Sequence, residues 1–106
     1  MPTLLMRQTS GYLTFRVKAT THWGENVYLV GSTPLLSNWE PASAIKLSPA
    51  TYPIWNVTVS LPAATNLEYK FVKRDEGGSV VWESGNNRQL TTPAAGATTG
   101  IDEEFR

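Results

Sequence analysis

A chain of 106 residues, 41% of them hydrophobic and 17% charged, suffices for one domain with a two-layer core and is too short for two. Nine basic and nine acidic residues give a formal net charge of zero, which argues against a nucleic acid, an anionic membrane surface or a strongly charged substrate and for a neutral ligand. Without cysteine there is no disulfide scaffold and no thiolate chemistry, while four tryptophans and four tyrosines are a heavy ring load for this length, so some rings are expected outside the core.

Met1–Ser10 has no clear period and lacks the apolar core of a signal peptide, and it is expected to be a loose lead-in. Tyr12–Ala19 then alternates, with Leu13, Phe15, Val17 and Ala19 on one face and Tyr12, Thr14, Arg16 and Lys18 on the other, as a half-buried strand does. Thr20–Glu25 is polar and contains a glycine, so Trp23 rides on a loop with little local apolar company. Asn26–Gly31 is a short apolar run expected inside a sheet. Ser32–Pro41 holds two prolines and predicts a loop with one helical turn, closed by Trp39; Ala44–Leu47 predicts a short strand and Ser48–Pro53 a turn. Ile54–Leu61 alternates again and makes Trp55 the expected core tryptophan. Gln89–Thr92 is followed by a loop rich in proline, glycine, alanine and threonine, and Thr98–Arg106 is expected to pair as an edge strand.

The most informative stretch is Leu67–Arg88. Two extended runs flank Asp75-Glu76-Gly77-Gly78, which predicts a β-hairpin. In the first run Leu67, Tyr69 and Phe71 point one way and Lys70 the other. After the turn come Trp82 and the polar run Ser84–Arg88, which sets one large flat ring beside uncharged hydrogen-bonding groups and a cation. Such a set suits a sugar, because a pyranose has a face of C–H groups that lies on an aromatic plate and an equator of hydroxyls that meet amide or ammonium donors. A nucleotide would want several cations with the plate.

Short strands separated by turn signals, with almost no helix, predict an all-β fold: an antiparallel immunoglobulin-like β-sandwich of about seven to eight strands, with a barrel as the alternative, formed by residues 1–106 as a single domain. Read together, WGENVYLVGSTPLLSNWEP, IWNVTVSLP, LEYKFVKR and VVWESGNNR resemble, in order and spacing, the starch-binding domains of fungal glucoamylases and related amylases, the family-20 carbohydrate-binding modules. The resemblance runs from about Tyr12 to Arg106. It implies a non-catalytic domain that binds α-1,4-glucan at two sites, needs no cofactor and no metal, behaves as a monomer, and targets an attached catalytic domain of a secreted, extracellular enzyme to starch.

Carried over residue by residue, the resemblance places the first site on Trp39 and Trp82 as stacking plates with Lys70 and Asn87 as hydrogen-bond donors; Glu68 and Glu83, close to these in sequence, are expected to assist. The second falls on Trp23, which stands where the family has tyrosine, and on Tyr52. Four departures stand out. The family's cysteine pair is missing, the acidic residue before the second-site tyrosine is Ala50, the insert after that tyrosine is shortened to Pro53-Ile54, and the Asp-Pro before the first-site asparagine is Gly85-Asn86.

No catalytic set accompanies these features. Asp75-Glu76 belongs to a turn, Asp102-Glu103-Glu104 is a solvated run, and neither offers two carboxylates held at a set separation in a cleft. His22 stands alone in a loop, which disfavours a metal site. Asn56-Val57-Thr58 fits an N-glycosylation sequon but lies within a strand. Three alternatives stay open: an immunoglobulin-like protein-interaction module, a glycogen-targeting module of an intracellular protein and, more weakly, a small hydrolase.

Overall fold

The computed structural model describes residues 9–106; of the expected lead-in, residues 1–8 lie outside the described residues and Ser10 already belongs to a strand. The alternation of Leu13, Phe15 and Val17 makes Ser10–Lys18 the strand β1, which buries those side chains and leaves their neighbours at the surface. It is followed by β2 (Asn26–Gly31), β3 (Ile45–Lys46), β4 (Ser48–Thr51), β5 (Ile54–Pro62), β6 (Asn66–Arg74), β7 (Val80–Trp82), β8 (Arg88–Thr91) and β9 (Thr98–Glu104). The expected helical turn resolves into two short 3-10 segments, Pro34–Trp39 and Pro41–Ser43. Ser48–Thr51, expected as a turn, forms an edge strand against β5, with its register broken between Ser48 and Thr51.

The strands form two layers, one ordered β4-β5-β1-β9 and the other β3-β2-β6-β7 with β8 also on β6. Most neighbours are antiparallel as expected, but β9, which follows β8 across residues 92–97 and the gap between the layers, lies parallel to β1 at the sheet edge. Between the layers sit Phe15, Leu29, Leu47, Leu61, Tyr69 and Phe71. The Phe15 ring meets Tyr69 and Phe71 edge-on at centroid separations of 5.2 and 6.0 Å. Trp55 is the core tryptophan, 2% exposed, with its indole N–H donating to the Ala19 carbonyl at 3.0 Å.

Strand β6 positions the surface features. It pairs with β2 on one side, while on the other its neighbour changes from β7, where Val72 faces Trp82, to β8, where Tyr69 faces Arg88. The chain between these two strands, residues 83–87, therefore lies beside Lys70 and Phe71. The β6–β7 hairpin turns as its sequence predicts: Ser79 N–H donates to the Asp75 carboxylate at 2.9 Å, and Gly78 takes a φ of 89° that favours glycine.

Candidate functional site

Alternation along β6 turns Leu67, Tyr69 and Phe71 inward and leaves Glu68, Lys70 and Val72 on the outer face of the second layer. Val72 is nevertheless buried. With Tyr28 and Val30 it forms a second apolar cluster on that outer face, against which Trp39 and Ala44 pack from the segment folded over it. Trp82 is the cross-strand partner of Val72 and is 41% exposed, so both indoles belong to one patch, Trp39 half-buried and Trp82 at the rim.

The Trp39 ring is held at a conformational cost. Ser37, Asn38 and Trp39 have φ values of 67°, 49° and 65°, left-handed backbone that asparagine tolerates but that costs on the order of 1 kcal/mol each at serine and tryptophan. Several bonds fix this bend: Asn38 N–H donates to the Thr33 carbonyl at 3.0 Å, Glu40 N–H to the Ser37 carbonyl at 3.0 Å, and Ser37 Oγ to the Glu40 carbonyl at 2.9 Å. Arg74 ties the segment to the sheet by donating to the Pro41 carbonyl at 2.6 Å with its guanidinium 4.1 Å from the Tyr28 ring centroid.

At the edge of this patch stands Lys70, beside Val30 in the register and half-buried. Asn87 Nδ2 donates to Glu68 Oε1 at 2.9 Å, so Glu68 orients the amide and leaves the other N–H and the carbonyl oxygen of Asn87 for a ligand. The structure thus brings Trp39, Trp82, Lys70, Asn87 and Glu68 to one face of one layer.

Glu83 is a correction. Expected among the assisting residues because it follows Trp82, it is 1% exposed and faces the core, since consecutive strand residues point to opposite faces and Trp82 points out. Its carboxylate receives Arg88 at both oxygens, at 2.8 and 3.0 Å, and the Phe71 N–H at 2.9 Å. Arg88 also donates to Glu103 at 2.7 Å, and the Tyr69 hydroxyl donates to the same carboxylate at 3.0 Å. Burial pushes the Glu83 carboxyl up, but Arg88, the Phe71 N–H and Arg106 together outweigh it and hold the group below the usual carboxylate range. Burial, with Glu103 alongside, raises the Tyr69 hydroxyl well above its ordinary value. Glu83 and Arg88 thereby clamp both ends of residues 84–87, which carry Asn87, and Ser84 N–H adds a bond to the Arg106 carbonyl at 3.0 Å.

Trp23 and Tyr52 come together elsewhere, in an open groove of about 620 Å³ that His22, Asn26, Pro49 and Glu76 also line. Trp23 is fully exposed and Tyr52 50% exposed. Tyr52 packs edge-on against Trp55 at 6.1 Å and accepts the Thr21 N–H at its hydroxyl at 3.2 Å, so its ring is fixed while that of Trp23 stands free in solvent. Glu76 was missed by the sequence reading because it reaches this groove from the β6–β7 turn, distant in sequence from both rings. The outer apolar cluster was missed as well, although Val72 at an outward position of an alternating strand was its visible sign.

The starch binding domain family matches residues 12–102. The chain is 52% identical over 92 residues to an α-amylase of Streptomyces violaceus and 49% identical over 90 residues to glucoamylase-1 of Schizophyllum commune, matches that cover 87% and 85% of this chain. It spans 16% of the length of each of these relatives. Among solved structures it is similar to the family 20 carbohydrate-binding module of the maltotetraose-forming amylase from Pseudomonas saccharophila STB07, at 37% identity and a TM-score of 0.74 over 89% of this chain and 99% of that one. It is similar also to the family 15 glucoamylase from Hypocrea jecorina, at 32% identity and a TM-score of 0.88 over 92% of this chain and 17% of that one. On these matches and its two-layer strand architecture, the chain belongs to the starch-binding domain family, the family-20 carbohydrate-binding modules.

Proposed function

We propose that the domain holds α-1,4-glucan at two places, on the Trp39/Trp82 face and in the Trp23/Tyr52 groove, and performs no catalysis itself. The observation that carries the reading is the convergence of two indoles, an ammonium and an oriented amide on one outer face, the complement of a pyranose with its C–H face and hydroxyl rim. The zero net charge agrees with a neutral ligand. Glycoside hydrolysis would need one carboxylic acid with a raised pKa opposite a second carboxylate, whereas Glu83 is held ionised between arginines. The α-amylase and glucoamylase relatives are enzymes much longer than this chain, which supports a module that tethers a catalytic domain to starch. The same reading makes it a monomeric unit of an extracellular enzyme. A protein partner is the second reading, since Val80 and Val81 are exposed beside Trp82 on β7, but the amide and ammonium groups at the edge of the Trp39/Trp82 face suit sugar hydroxyls better than an apolar partner.

The test is retention on granular starch with β-cyclodextrin as competitor. The expected result is pull-down that β-cyclodextrin abolishes and that salt leaves nearly unchanged. Failure to bind, or binding that falls steeply with ionic strength, would overturn the reading.

A further inference from the structure

A second concavity lies on the same outer face, farther along β6. It measures about 590 Å³, within the range of ligand sites, and its walls include Ser32, Asn66, Glu68, Gln89 and Thr91. The β6–β8 register puts Asn66 opposite Thr91 and Glu68 opposite Gln89, so the floor is two consecutive rows of outward polar side chains. Rows on one face of a strand repeat every two residues, roughly 7 Å, a spacing comparable to the width of a hexose ring. Ser32 closes the other side and is tied to the floor, its Oγ accepting the Glu68 N–H at 2.9 Å.

Two properties of this groove connect it with the tryptophan patch. The first is continuity: Glu68 takes Asn87 Nδ2 on one carboxylate oxygen at 2.9 Å and Gln89 Nε2 on the other at 3.4 Å, so one side chain belongs to the end of the platform and the start of the groove. The second is chemistry: among those five side chains are two amides, two hydroxyls and a single charge. Thr91 Oγ1 donates to Asn66 Oδ1 and Gln89 Nε2 to Glu68, which holds both rows in place and leaves the Asn66 amide N–H groups, the second Gln89 N–H and the Gln89 carbonyl for sugar hydroxyls, and little for an anion or an apolar peptide. No aromatic ring lines it, so it lacks the plate that would hold a sugar by itself.

We propose that this groove is an extension subsite, which receives glucose residues of an α-1,4-glucan chain beyond those held on Trp39 and Trp82; the inference rests on the platform reading above. A chain already stacked on the indoles presents its next residues at high effective concentration, so hydrogen bonds too weak to capture a free sugar add to the affinity. The groove therefore contributes a dependence on chain length and no additional independent site. Ser32, Asn66, Gln89 and Thr91 become length-reading residues, and Glu68 couples them to Asn87.

The experiment is calorimetric titration of Trp23→Ala protein, in which only the platform counts, with β-cyclodextrin and with linear oligosaccharides from maltotriose to maltodecaose. Longer chains also offer the platform more binding registers, a gain that substitutions in the groove leave untouched, so the comparison is between proteins at fixed ligand. Adding Asn66→Ala and Gln89→Ala should weaken maltodecaose binding about three- to tenfold, the effect of one net hydrogen bond or slightly less, with β-cyclodextrin affinity and stoichiometry unchanged. Thr91→Arg, which fills the groove from its far row, should act in the same direction. Unaltered maltodecaose affinity in both variants would overturn the extension while leaving the platform intact. Equal losses for maltodecaose and β-cyclodextrin would also overturn it, by showing that the groove residues act only through Asn87. Absence of β-cyclodextrin binding before the groove is altered would instead remove the platform reading, and the extension with it.

Discussion

The two ring pairs are built on opposite principles. Trp39 and Trp82 sit on a sheet: one indole rests on a buried apolar cluster, the other is cross-strand neighbour to the same valine, and the polar groups at their edge come from β6 and from a loop clamped by buried charges. Trp23 and Tyr52 sit on loops, where only Tyr52 has its ring fixed. A ring already packed and strained into place loses little freedom when a ligand arrives, whereas a free indole must be ordered at a cost of about 0.5–1.5 kcal/mol. The first site should therefore be the more selective for ligand geometry, and the second the more tolerant.

The sharpest way to separate the two is to attack the support of the first. Removing Arg88 leaves Glu83 buried without its main partner, and Arg88→Met should destabilise the fold by about 3–5 kcal/mol. In protein that remains folded, the loop bearing Asn87 loosens and cyclodextrin affinity at the first site falls, while the Trp23/Tyr52 groove keeps its own; denaturant titration and calorimetry read the two effects. The same support gives a pH signature. Because the folded Glu83 pKa lies below its unfolded value, its contribution is present above the ordinary glutamate pKa of about 4.3 and is lost as pH falls through the lower folded value. The unfolding midpoint should thus drop in acid, and Glu83→Gln should flatten that drop from a lower starting stability.

Next in size are the plates. Trp82→Ala should weaken first-site binding by about 2 kcal/mol or more, as a central aromatic anchor does, with a smaller effect on stability because the ring is only partly buried. Trp39→Ala should weaken binding similarly but also destabilise the fold, since that ring covers Tyr28, Val30 and Val72. Intrinsic fluorescence during cyclodextrin titration reports both. At the second site, Trp23→Ala should leave stability unchanged, the ring being fully exposed, and lower the number of cyclodextrins bound from about two to about one. Loss of both binding events from this one change would mean that the two sites are not independent.

The smallest expected effects are at the polar rim. Lys70→Ala and Asn87→Ala should each weaken first-site binding by about 0.5–1.5 kcal/mol, with the second site unaffected and little dependence on salt. Asn87→Ala also frees the Glu68 oxygen that accepts from it, so Glu68→Ala, which removes that acceptor and leaves Asn87, measured beside it shows how much of the loss is orientation rather than contact.

What the sequence determined by itself follows from local rules. Period-two alternation in Tyr12–Ala19, Ile54–Leu61 and Leu67–Arg74 specified the long strands and their core faces to within a residue or two, and turn chemistry at Asp75–Gly78 specified the hairpin, while the polar loop around Trp23 left the exposure of that ring open. Motifs at family spacing supplied the candidate site residues. Only the tertiary structure decided the rest, because most of the undecided points depend on which side chains meet once strands pair and loops fold back. Glu83 reads as a polar neighbour of Trp82 until alternation and Arg88 place it in the core, and Val72 reads as a surface valine until the 34–44 segment folds over it. Glu76 reaches the Trp23/Tyr52 groove across about twenty-four positions of sequence from the nearer ring, and the polar groove along β8 exists only because β6 changes partner between Trp82 and Arg88. Local pattern fixes which face a side chain takes; which other side chains meet it there is set by how strands pair and loops fold back, and that is a property of the assembled chain.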